Sequence, residues 1–278
     1  MKISIITVSF NSSKTIRDTI QSVLSQHYSN IEYIIVDGGS TDGTLDIIHS
    51  YEHKNIKWIS EPDKGIYDAM NKGLSMSTGD IIGILNSDDF YLHRNVISKV
   101  AETFLETQAE SVYSDLAYVD AINTNKIIRY WRSGSYKDGS FLQGWMPPHP
   151  TFFVKKEIYQ KYSAFNLRFK SAADYELMLR LLHKHKITTA YIPDLTVMMR
   201  AGGKSNANLK SRLHANAEDR LAWKLNKLNP YPYTLLLKPL RKIEQYLFLS
   251  NKLQTLSKVY NFQTSYDFKT TLSSNYTN

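Results

Sequence analysis

The 278-residue sequence contains no cysteine. Disulfide bonds, thiolate metal sites and a cysteine nucleophile are therefore excluded, and the composition suits a reducing cytosol. The sequence also has no window near the roughly 20 uninterrupted apolar residues of a membrane-crossing helix, and its N-terminus lacks the apolar stretch of a signal peptide. We therefore expect a cytoplasmic protein whose contact with a membrane, on the cytoplasmic face of the inner membrane, would be peripheral.

The glycine-rich phosphate-binding loops of common nucleotide folds are missing as well. After the first apolar run, Lys2–Phe10, the chain continues with neither the dinucleotide-binding fingerprint nor a P-loop. A nucleotide-binding protein without either loop would hold a diphosphate through a metal ion.

The sequence has no excess of positive charge over residues 1–203, where 22 basic side chains balance 22 acidic ones. The net charge is +8, and residues 1–203 contribute none of it. Residues 204–278 hold 12 basic and 4 acidic side chains. A neutral body argues against nucleic acid as a partner. Apolar and aromatic residues beside basic ones after Pro230 suit an anionic membrane surface, although packing onto the rest of the protein would explain them too.

Strand and helix patterns alternate along the first half, which predicts an α/β fold with a mostly parallel central sheet flanked by helices. The predicted strands are Lys2–Phe10, Ile31–Val36, Lys57–Ser60, Ile81–Leu85, Ser111–Val119, Lys126–Trp131 and Thr189–Met199. The predicted helices are Asn11–Gln26, Thr44–Tyr51, Ile66–Ser75, Asn95–Gln108, Ser171–His185 and Ala207–Leu228.

Acidic and polar clusters follow three of these strands: Asp37, the segment Glu61–Gly65, and the segment Asn86–Asp89. Ligands of parallel sheets gather at the carboxyl ends of the strands, so the three clusters indicate a nucleotide-binding mouth. Each cluster alone would also be explained by the preference of Asp and Gly for turns.

The adjacent carboxylates Asp88 and Asp89 are the strongest metal candidates. Two neighbouring negative charges repel each other, and a bound cation compensates for this. Oxygen ligands select Mg²⁺ or Mn²⁺. The alternative is that one of the two aspartates only caps the helix after Phe90.

Several motifs resemble family 2 glycosyltransferases in order and spacing, over roughly residues 1–205. They are Thr7-Val8-Ser9-Phe10-Asn11, Val36-Asp37-Gly38-Gly39-Ser40-Thr41-Asp42-Gly43-Thr44, Leu85-Asn86-Ser87-Asp88-Asp89 and, as in the branch that assembles bacterial surface polysaccharides, Ser60-Glu61-Pro62-Asp63-Lys64-Gly65-Ile66-Tyr67-Asp68-Ala69-Met70-Asn71-Lys72-Gly73. The resemblance implies a GT-A fold, a UDP- or GDP-sugar donor and an inverting transfer. It divides the chain into a catalytic domain (1–205, with a donor half 1–110 and an acceptor half 111–205) and a helical basic C-terminal extension (206–278).

The resemblance also implies roles for single residues. Those expected at the donor nucleotide are Thr7, Ser9, Asn11, Asp37 (at the nucleobase), Asp63, Lys64 and Asp88. Asp89 would bind Mg²⁺ or Mn²⁺, with His149 as a further candidate ligand. Because the usual DxD triad is here Asn86-Ser87-Asp88-Asp89, the division of roles between the two aspartates stays open. His149, Lys204 and Ser205 would contact the diphosphate or the acceptor.

Asp174 is the expected general base. An inverting transfer needs one base that takes the proton of the attacking acceptor hydroxyl, and the resemblance gives that role to Asp174 at the start of the helix Ser171–His185. The competing interpretation is a capping box, because Ser171 and Asp174 have its spacing. His149 has a competing interpretation as a packing or surface residue, and the segment Arg200–Ser205 as a hinge.

The function expected from these features is transfer of a sugar to a growing surface glycan, linked to a polyprenyl diphosphate at the membrane. The alternatives are a metal-dependent sugar nucleotidyltransferase and a catalytically inactive nucleotide-sugar binding protein. The sequence does not indicate an oligomeric state.

Overall fold

The computed structural model describes residues 1–202 and 209–247. Its strands are β1 (Ile3–Ser9), β2 (Ile31–Asp37), β3 (Lys57–Ser60), β4 (Ile81–Ile84), β5 (Asp89–Tyr91), β6 (Ser111–Val119), β7 (Ile127–Trp131), β8 (Phe153–Lys155) and β9 (Thr189–Arg200). Its helices are α1 (Ile16–Leu24), α2 (Thr44–His49), α3 (Ile66–Met76), α4 (Val96–Thr107), α5 (Lys156–Tyr162), α6 (Ala173–Met178), α7 (Leu209–Leu225) and α8 (Thr234–Leu247). A π-helical stretch, Leu179–Lys184, continues α6.

All the strands belong to one sheet, in the order β3-β2-β1-β4-β8-β6-β9-β5, with β7 paired to β6. The pairs β2–β3, β1–β2, β1–β4 and β6–β9 are parallel. The pairs formed by β8, β5 and β7 are antiparallel. The result is a mixed α/β sheet with a parallel N-terminal half, which confirms the expected fold class.

Helices cover both faces of this sheet because the strands of its buried centre are apolar on both sides. On one face α3, α6 and α7 pack around Ile6, Val36 and Trp223. On the other face α1 and α4 pack around Ile5 and Phe104. The helix α7 therefore belongs to the core of the sheet domain, whereas the predicted division at residue 205 stays a prediction.

The predicted strands and helices of the first 110 residues are present with small shifts at their ends. Three elements were not expected: β5, β8 and α5. The capping alternative for the Asp88–Asp89 pair is wrong, because Asp89 begins β5, where it lies opposite Met199 of β9, and the next helix begins only at Val96. Within residues 1–202 and 209–247, every helix is too short or too polar to span a bilayer.

Candidate functional site

The parallel strands bring the predicted polar clusters to one edge of the sheet. β1 is paired in parallel with β2 on one side and β4 on the other. The chain segments that follow these strands therefore start side by side. Ser12, after β1, reaches Ser87, after β4, with 2.8 Å between the two hydroxyl oxygens. The sheet thus brings the segments that follow β1 and β4 into contact, whereas nucleotide binding there stays a prediction.

Asp37 holds the turn after β2 rather than facing the mouth. Its side chain has no exposed surface. Its oxygens accept hydrogen bonds from the hydroxyls of Ser9, Ser40 and Ser60 at 2.5–2.9 Å and from the backbone N–H of Gly39 and Ser40 at 3.0 and 2.8 Å. These bonds lower the pKa of Asp37 despite its burial. A nucleobase would have to displace one of these hydrogen bonds to reach Asp37, so the expected nucleobase contact stays a prediction.

Asp63 approaches the turn from the β3–α3 loop. A Cβ atom on Gly38 would lie 2.9 Å from Oδ2 of Asp63 and 3.4 Å from the ring of Phe10. Lys72 holds Asp63 at 2.6 Å and Glu61 at 2.9 Å, and these carboxylates raise the pKa of the Lys72 ammonium. The missing side chain of Gly38 therefore leaves room for a carboxylate from a different loop.

Phe10 is a residue that sequence reasoning missed. Its side chain is 54% exposed, which is unusual for a phenyl group directly after a buried strand. It borders the same small space as Asp63 and Gly38. The available signal was its position between Ser9 and Asn11, two residues that the resemblance already placed at the donor. An exposed ring there offers a flat surface for a nucleobase.

The remaining predicted donor residues divide into supporting and exposed ones. Thr7 of β1 is fully buried, and its hydroxyl lies 3.1 Å from that of Tyr33 on β2. Thr7 therefore packs inside the protein and stabilises β1. Asn11 is exposed and has a φ of 50°, and its Oδ1 accepts a hydrogen bond from the backbone of Thr41. Lys64 is exposed, and its backbone N–H donates to Asp68.

Asp89 is a buried carboxylate with one unsatisfied oxygen. It has no exposed surface. Oδ2 accepts a hydrogen bond from the amide of Asn86 at 3.1 Å, whereas Oδ1 has no partner among the described residues. Burial, and then the charge of Asp88, raise the pKa of Asp89 well above its usual range. Burial also raises the pKa of Asp88, which is partly exposed.

These two carboxylates fit a hard divalent cation. An unsatisfied buried oxygen beside a second carboxylate is costly without a positive charge. Among the described residues no group of three or more His, Asp or Glu side chains is placed to hold a metal. Mg²⁺ sites typically combine one or two carboxylates with substrate phosphates, so this pair suits a cation that arrives with a diphosphate. The structure does not join His149 to the pair as a third ligand.

Asp174 lies at the start of α6 and is partly exposed. The hydroxyl of Tyr67 donates to its Oδ1 at 3.0 Å. Burial, and then the charge of Asp174, raise the pKa of Tyr67, so Tyr67 stays a donor. The capping-box alternative is wrong, because the first turn of α6 has no side-chain cap and Ser171 instead donates its N–H and hydroxyl to Glu218 of α7.

His149 packs near this carboxylate. Its ring meets that of Phe165 edge to face at 5.7 Å, and Phe165 in turn stacks on Tyr67 at 5.7 Å. Burial lowers the pKa of His149, an effect that the charge of Asp174 opposes. His149 is therefore neutral at neutral pH and is available as a hydrogen-bonding group beside Asp174.

Tyr118 of β6 connects the two groups of carboxylates. Burial raises the pKa of its hydroxyl, the Arg129 guanidinium opposes that rise, and the charges of Asp89 and Asp174 add to it. The guanidinium of Arg129 lies 3.6 Å from the centre of the Tyr118 ring. The charges of Asp89 and Asp174 therefore both act on the Tyr118 hydroxyl.

Arg200 is a second residue that sequence reasoning missed. Its guanidinium donates to the backbone carbonyl of Asp88 at 2.8 Å and also contacts the carboxylate of Asp18. It is 6% exposed and fixes the backbone that carries the metal candidates. The motif that starts at Arg200 had pointed to Lys204 and Ser205, which lie outside the described residues.

The mixed sheet, with polar clusters at the ends of its parallel strands, has the GT-A fold. Solved structures share the fold. The Staphylococcus aureus TarS fragment 1–349 in complex with UDP-GlcNAc superposes with a TM-score of 0.64 at 18% identity, over 81% of this chain and 65% of that one. The Pyrobaculum calidifontis mannosyltransferase PcManGT in complex with GDP-Man and Mn²⁺ gives 0.61 at 17%, over 91% and 71%.

Sequence comparison then assigns the family. The model of glycosyl transferase family 2 matches residues 4–166, and the chain belongs to this family. It is 32% identical over 180 residues to an uncharacterized glycosyltransferase of Mycobacterium tuberculosis, covering 64% of this chain and 68% of that protein. It is 28% identical over 192 residues to a PGL/p-HBAD biosynthesis glycosyltransferase of Mycobacterium bovis, covering 68% and 73%. The family supports glycosyl transfer over the nucleotidyltransferase alternative.

Proposed function

We propose that this glycosyltransferase inverts the configuration of the transferred sugar, with Asp174 as general base. The observation that carries the proposal is the single hydrogen bond from Tyr67 to Asp174. That bond orients Oδ1 and leaves Oδ2 without a hydrogen bond from the part of the chain that the structure describes. A partly exposed carboxylate with a free oxygen suits the removal of a proton from a bound hydroxyl.

The reaction requires one proton transfer and one displacement. The oxygen of the acceptor hydroxyl attacks the anomeric carbon while its proton passes to Asp174. The bond from that carbon to the diphosphate oxygen breaks on the opposite face, so the configuration inverts. Asp88 and Asp89 would hold Mg²⁺ or Mn²⁺ against the diphosphate, where the ion neutralises the charge of the leaving group.

The donor would enter between Phe10 and the β3–α3 loop. The exposed Phe10 ring would stack on the nucleobase, and Asp63 would accept a hydrogen bond from an N–H of the base, in the space that Gly38 leaves open. Asp37 would act indirectly by fixing the turn. TarS and PcManGT were crystallised with UDP-GlcNAc and GDP-Man, which supports a nucleotide-sugar donor without selecting the base.

The acceptor that we propose is a lipid-linked glycan of the bacterial surface, extended at the cytoplasmic face of a membrane. The support is the sequence similarity to a glycosyltransferase of PGL/p-HBAD biosynthesis and the cationic C-terminal region. Neither feature identifies the sugar or the linkage.

A donor screen tests the proposal first. Thermal unfolding with UDP- and GDP-sugars, with and without Mn²⁺, should identify one donor that stabilises the protein only with the metal. With that donor, the anomeric configuration of the product is read by NMR. A product that retains the donor's configuration would exclude the single-displacement mechanism. Donor stabilisation without turnover on any glycan acceptor would favour the inactive binding protein.

A further inference from the structure

The helix α8 has its apolar and basic faces in an unusual orientation. Leu236, Leu240 and Ile243 follow each other at helical spacing, and they are 65%, 54% and 55% exposed. Tyr233 and Tyr246 extend the same side and are also exposed. A helix on a globular protein normally turns such a stripe toward the core. Here the stripe, which we call the outer stripe (Tyr233, Leu236, Leu240, Ile243 and Tyr246), is about half exposed or more along its length, and its contact with the rest of the fold is at Tyr246, whose ring centre lies 5.9 Å from the Arg129 guanidinium.

The basic side of α8 points inward. Lys238 pairs with Asp219 of α7 at 2.7 Å and lies 3.7 Å from the centre of the Tyr175 ring. Arg241 donates through Nε to the backbone carbonyl of Gln143 at 2.8 Å. These contacts, together with the bond from Thr234 to the carbonyl of Leu142 at 2.7 Å, fix which side of the helix is turned outward.

A cavity of about 220 Å³ lies beneath α8, between this helix, β7 and the segment 132–146. Its lining contains four cationic side chains, Arg132, Lys238, Arg241 and Lys242, and no acidic one among the described residues. Lys238 is paired with the carboxylate of Asp219, which lies outside the lining. In the wall of the same cavity, Oε1 of Gln245 is buried without a hydrogen-bond partner among the described residues.

This lining selects an anion that also carries a hydrogen-bond donor. Guanidinium and ammonium groups bind phosphate oxygens, and the Gln245 carbonyl oxygen would accept a bond from a neighbouring hydroxyl. The headgroup of an anionic glycerophospholipid such as phosphatidylglycerol carries both. The outer stripe on the same helix provides the apolar surface that enters the boundary between headgroups and acyl chains.

We propose that α8 docks this protein on an anionic bilayer, with the outer stripe inserted in the membrane surface and a lipid headgroup phosphate in the cavity beneath it. The excess positive charge of residues 204–278 is complementary to such a surface. The proposal would give the membrane location suggested above a physical basis, but it depends on residues separate from the transfer site. It can therefore fail while the transferase assignment holds.

Vesicle flotation of the full chain, without donor or acceptor, tests the proposal. Binding to vesicles that contain phosphatidylglycerol should exceed binding to pure phosphatidylcholine by about tenfold or more and should weaken with salt. The double variant Arg241→Gln/Lys242→Gln, and separately Leu240→Ser/Ile243→Ser, should each lower vesicle affinity by about tenfold. Phosphatidylcholine vesicles with a small fraction of polyprenyl phosphate distinguish the lipid carrier from bulk anionic lipid.

Matched controls come from the same chain. Ile122, in the β6–β7 turn, is 95% exposed, so Ile122→Ser removes an exposed apolar side chain far along the chain from α8. Lys54→Gln/Lys126→Gln removes two exposed charges elsewhere. Both controls should float like the unmodified protein. Unfolding temperatures check that each variant is folded. If Arg241→Gln/Lys242→Gln is not folded, Lys242→Gln alone replaces it.

Four results would overturn the proposal. Equal binding to neutral and anionic vesicles would remove the role of the basic cavity. Selective binding to the polyprenyl phosphate vesicles alone would replace bulk anionic lipid by the lipid carrier as the occupant. Unchanged binding of either α8 double variant would remove the role of that surface. If Leu240→Ser/Ile243→Ser instead abolished a dimer seen by sedimentation, the outer stripe would be an interface between two copies.

Discussion

Gly144 determines how closely the backbone of α8 approaches the segment that contains Gly144. Its φ is +71°, and a Cβ atom there would lie 2.5 Å from the backbone nitrogen of Lys238 and 2.8 Å from the carbonyl carbon of Leu237. Both neighbours are backbone atoms, so a side-chain rotation cannot relieve the clash. We therefore predict that Gly144→Ala displaces α8 as a unit.

The expected cost has two parts. The left-handed backbone alone costs a non-glycine residue about 1–3 kcal/mol. Moving α8 also forfeits the bonds of Thr234, Lys238 and Arg241 to their partners, at about 1 kcal/mol each. Gly134 separates the two parts, because its φ is +67° and no atom of the described residues lies within 4 Å of the point that its Cβ atom would occupy. Gly134→Ala should show only the backbone cost.

Two measurements compare the variants Gly144→Ala and Gly134→Ala. Denaturant unfolding should give Gly144→Ala a free energy of unfolding about 3 kcal/mol lower than that of Gly134→Ala, because the three bonds are lost. This difference is not expected if α8 detaches before the rest of the protein unfolds. In that case, trypsin should cut after Arg241 and Lys242 much faster in Gly144→Ala, as mass spectrometry of the fragments would show. Equal unfolding free energies together with equal cleavage rates would refute the reasoning.

Three further predictions concern the transfer site. Asp174→Asn should lower the transfer rate by about 10²–10⁴-fold, while calorimetric donor affinity stays within about twofold because the base does not hold the nucleotide. Asp89→Asn should raise the melting temperature of the ligand-free protein at neutral pH, since it removes a buried charge with a raised pKa, and should abolish the added stabilisation by donor with Mn²⁺. Phe10→Ala should raise the donor KM by about 5–150-fold, from the loss of about 1–3 kcal/mol of stacking, with little change in kcat.

Each of these has a contradicting outcome. Normal transfer by Asp174→Asn would move the base elsewhere. A lower melting temperature for Asp89→Asn would mean that its charge is compensated in the free protein. For Phe10→Ala the matched control is Leu105→Ala, a 62% exposed apolar residue on α4, and equal KM values for the two variants would exclude stacking.

The raised pKa values of Asp88 and Asp89 also set a pH dependence. In the folded protein both carboxyls keep their protons to higher pH than in the unfolded chain. Their protonation therefore favours folding at low pH, and this contribution is lost as the pH rises through the folded-state pKa values. Mn²⁺ competes with those protons, so metal-dependent donor affinity should increase with pH through the same window and then level off. A calorimetric pH series that stays flat would contradict this.

The sequence was sufficient for the four parallel strands β1 to β4. The long apolar runs of β1 and β2, each followed by turn residues, determine parallel pairing and bring their ends together. β5 and β8 escaped prediction because each has three residues. Their pairing with β9, and with β4 and β6, depends on partners that are distant in the chain, and no local pattern reports such partners.

In the site, too, the sequence indicated local features but not contacts between distant parts of the chain. The pairing of Asp88 with Asp89 at a strand end was visible in the residue order, but their difference in burial was not. The motif around Asp37 indicated a nucleobase contact but did not reveal that five hydrogen bonds already occupy its oxygens. Asp63 reaches Gly38 only through the path of the β3–α3 loop, which depends on the folded arrangement of Lys72 and its carboxylate partners.

Glu218 of α7 holds the backbone just before α6. Its carboxylate accepts hydrogen bonds at 2.9 Å from the N–H groups of Lys170 and Ser171, which lie 48 and 47 positions earlier in the chain. Trp223 adds a bond to Tyr175, the residue after Asp174. A chimera that exchanges C-terminal regions between relatives, joined near residue 205, would therefore separate Asp174, the proposed base, from the α7 residues that hold the start of α6. Transplants intended to redirect this enzyme should carry α6 and α7 together.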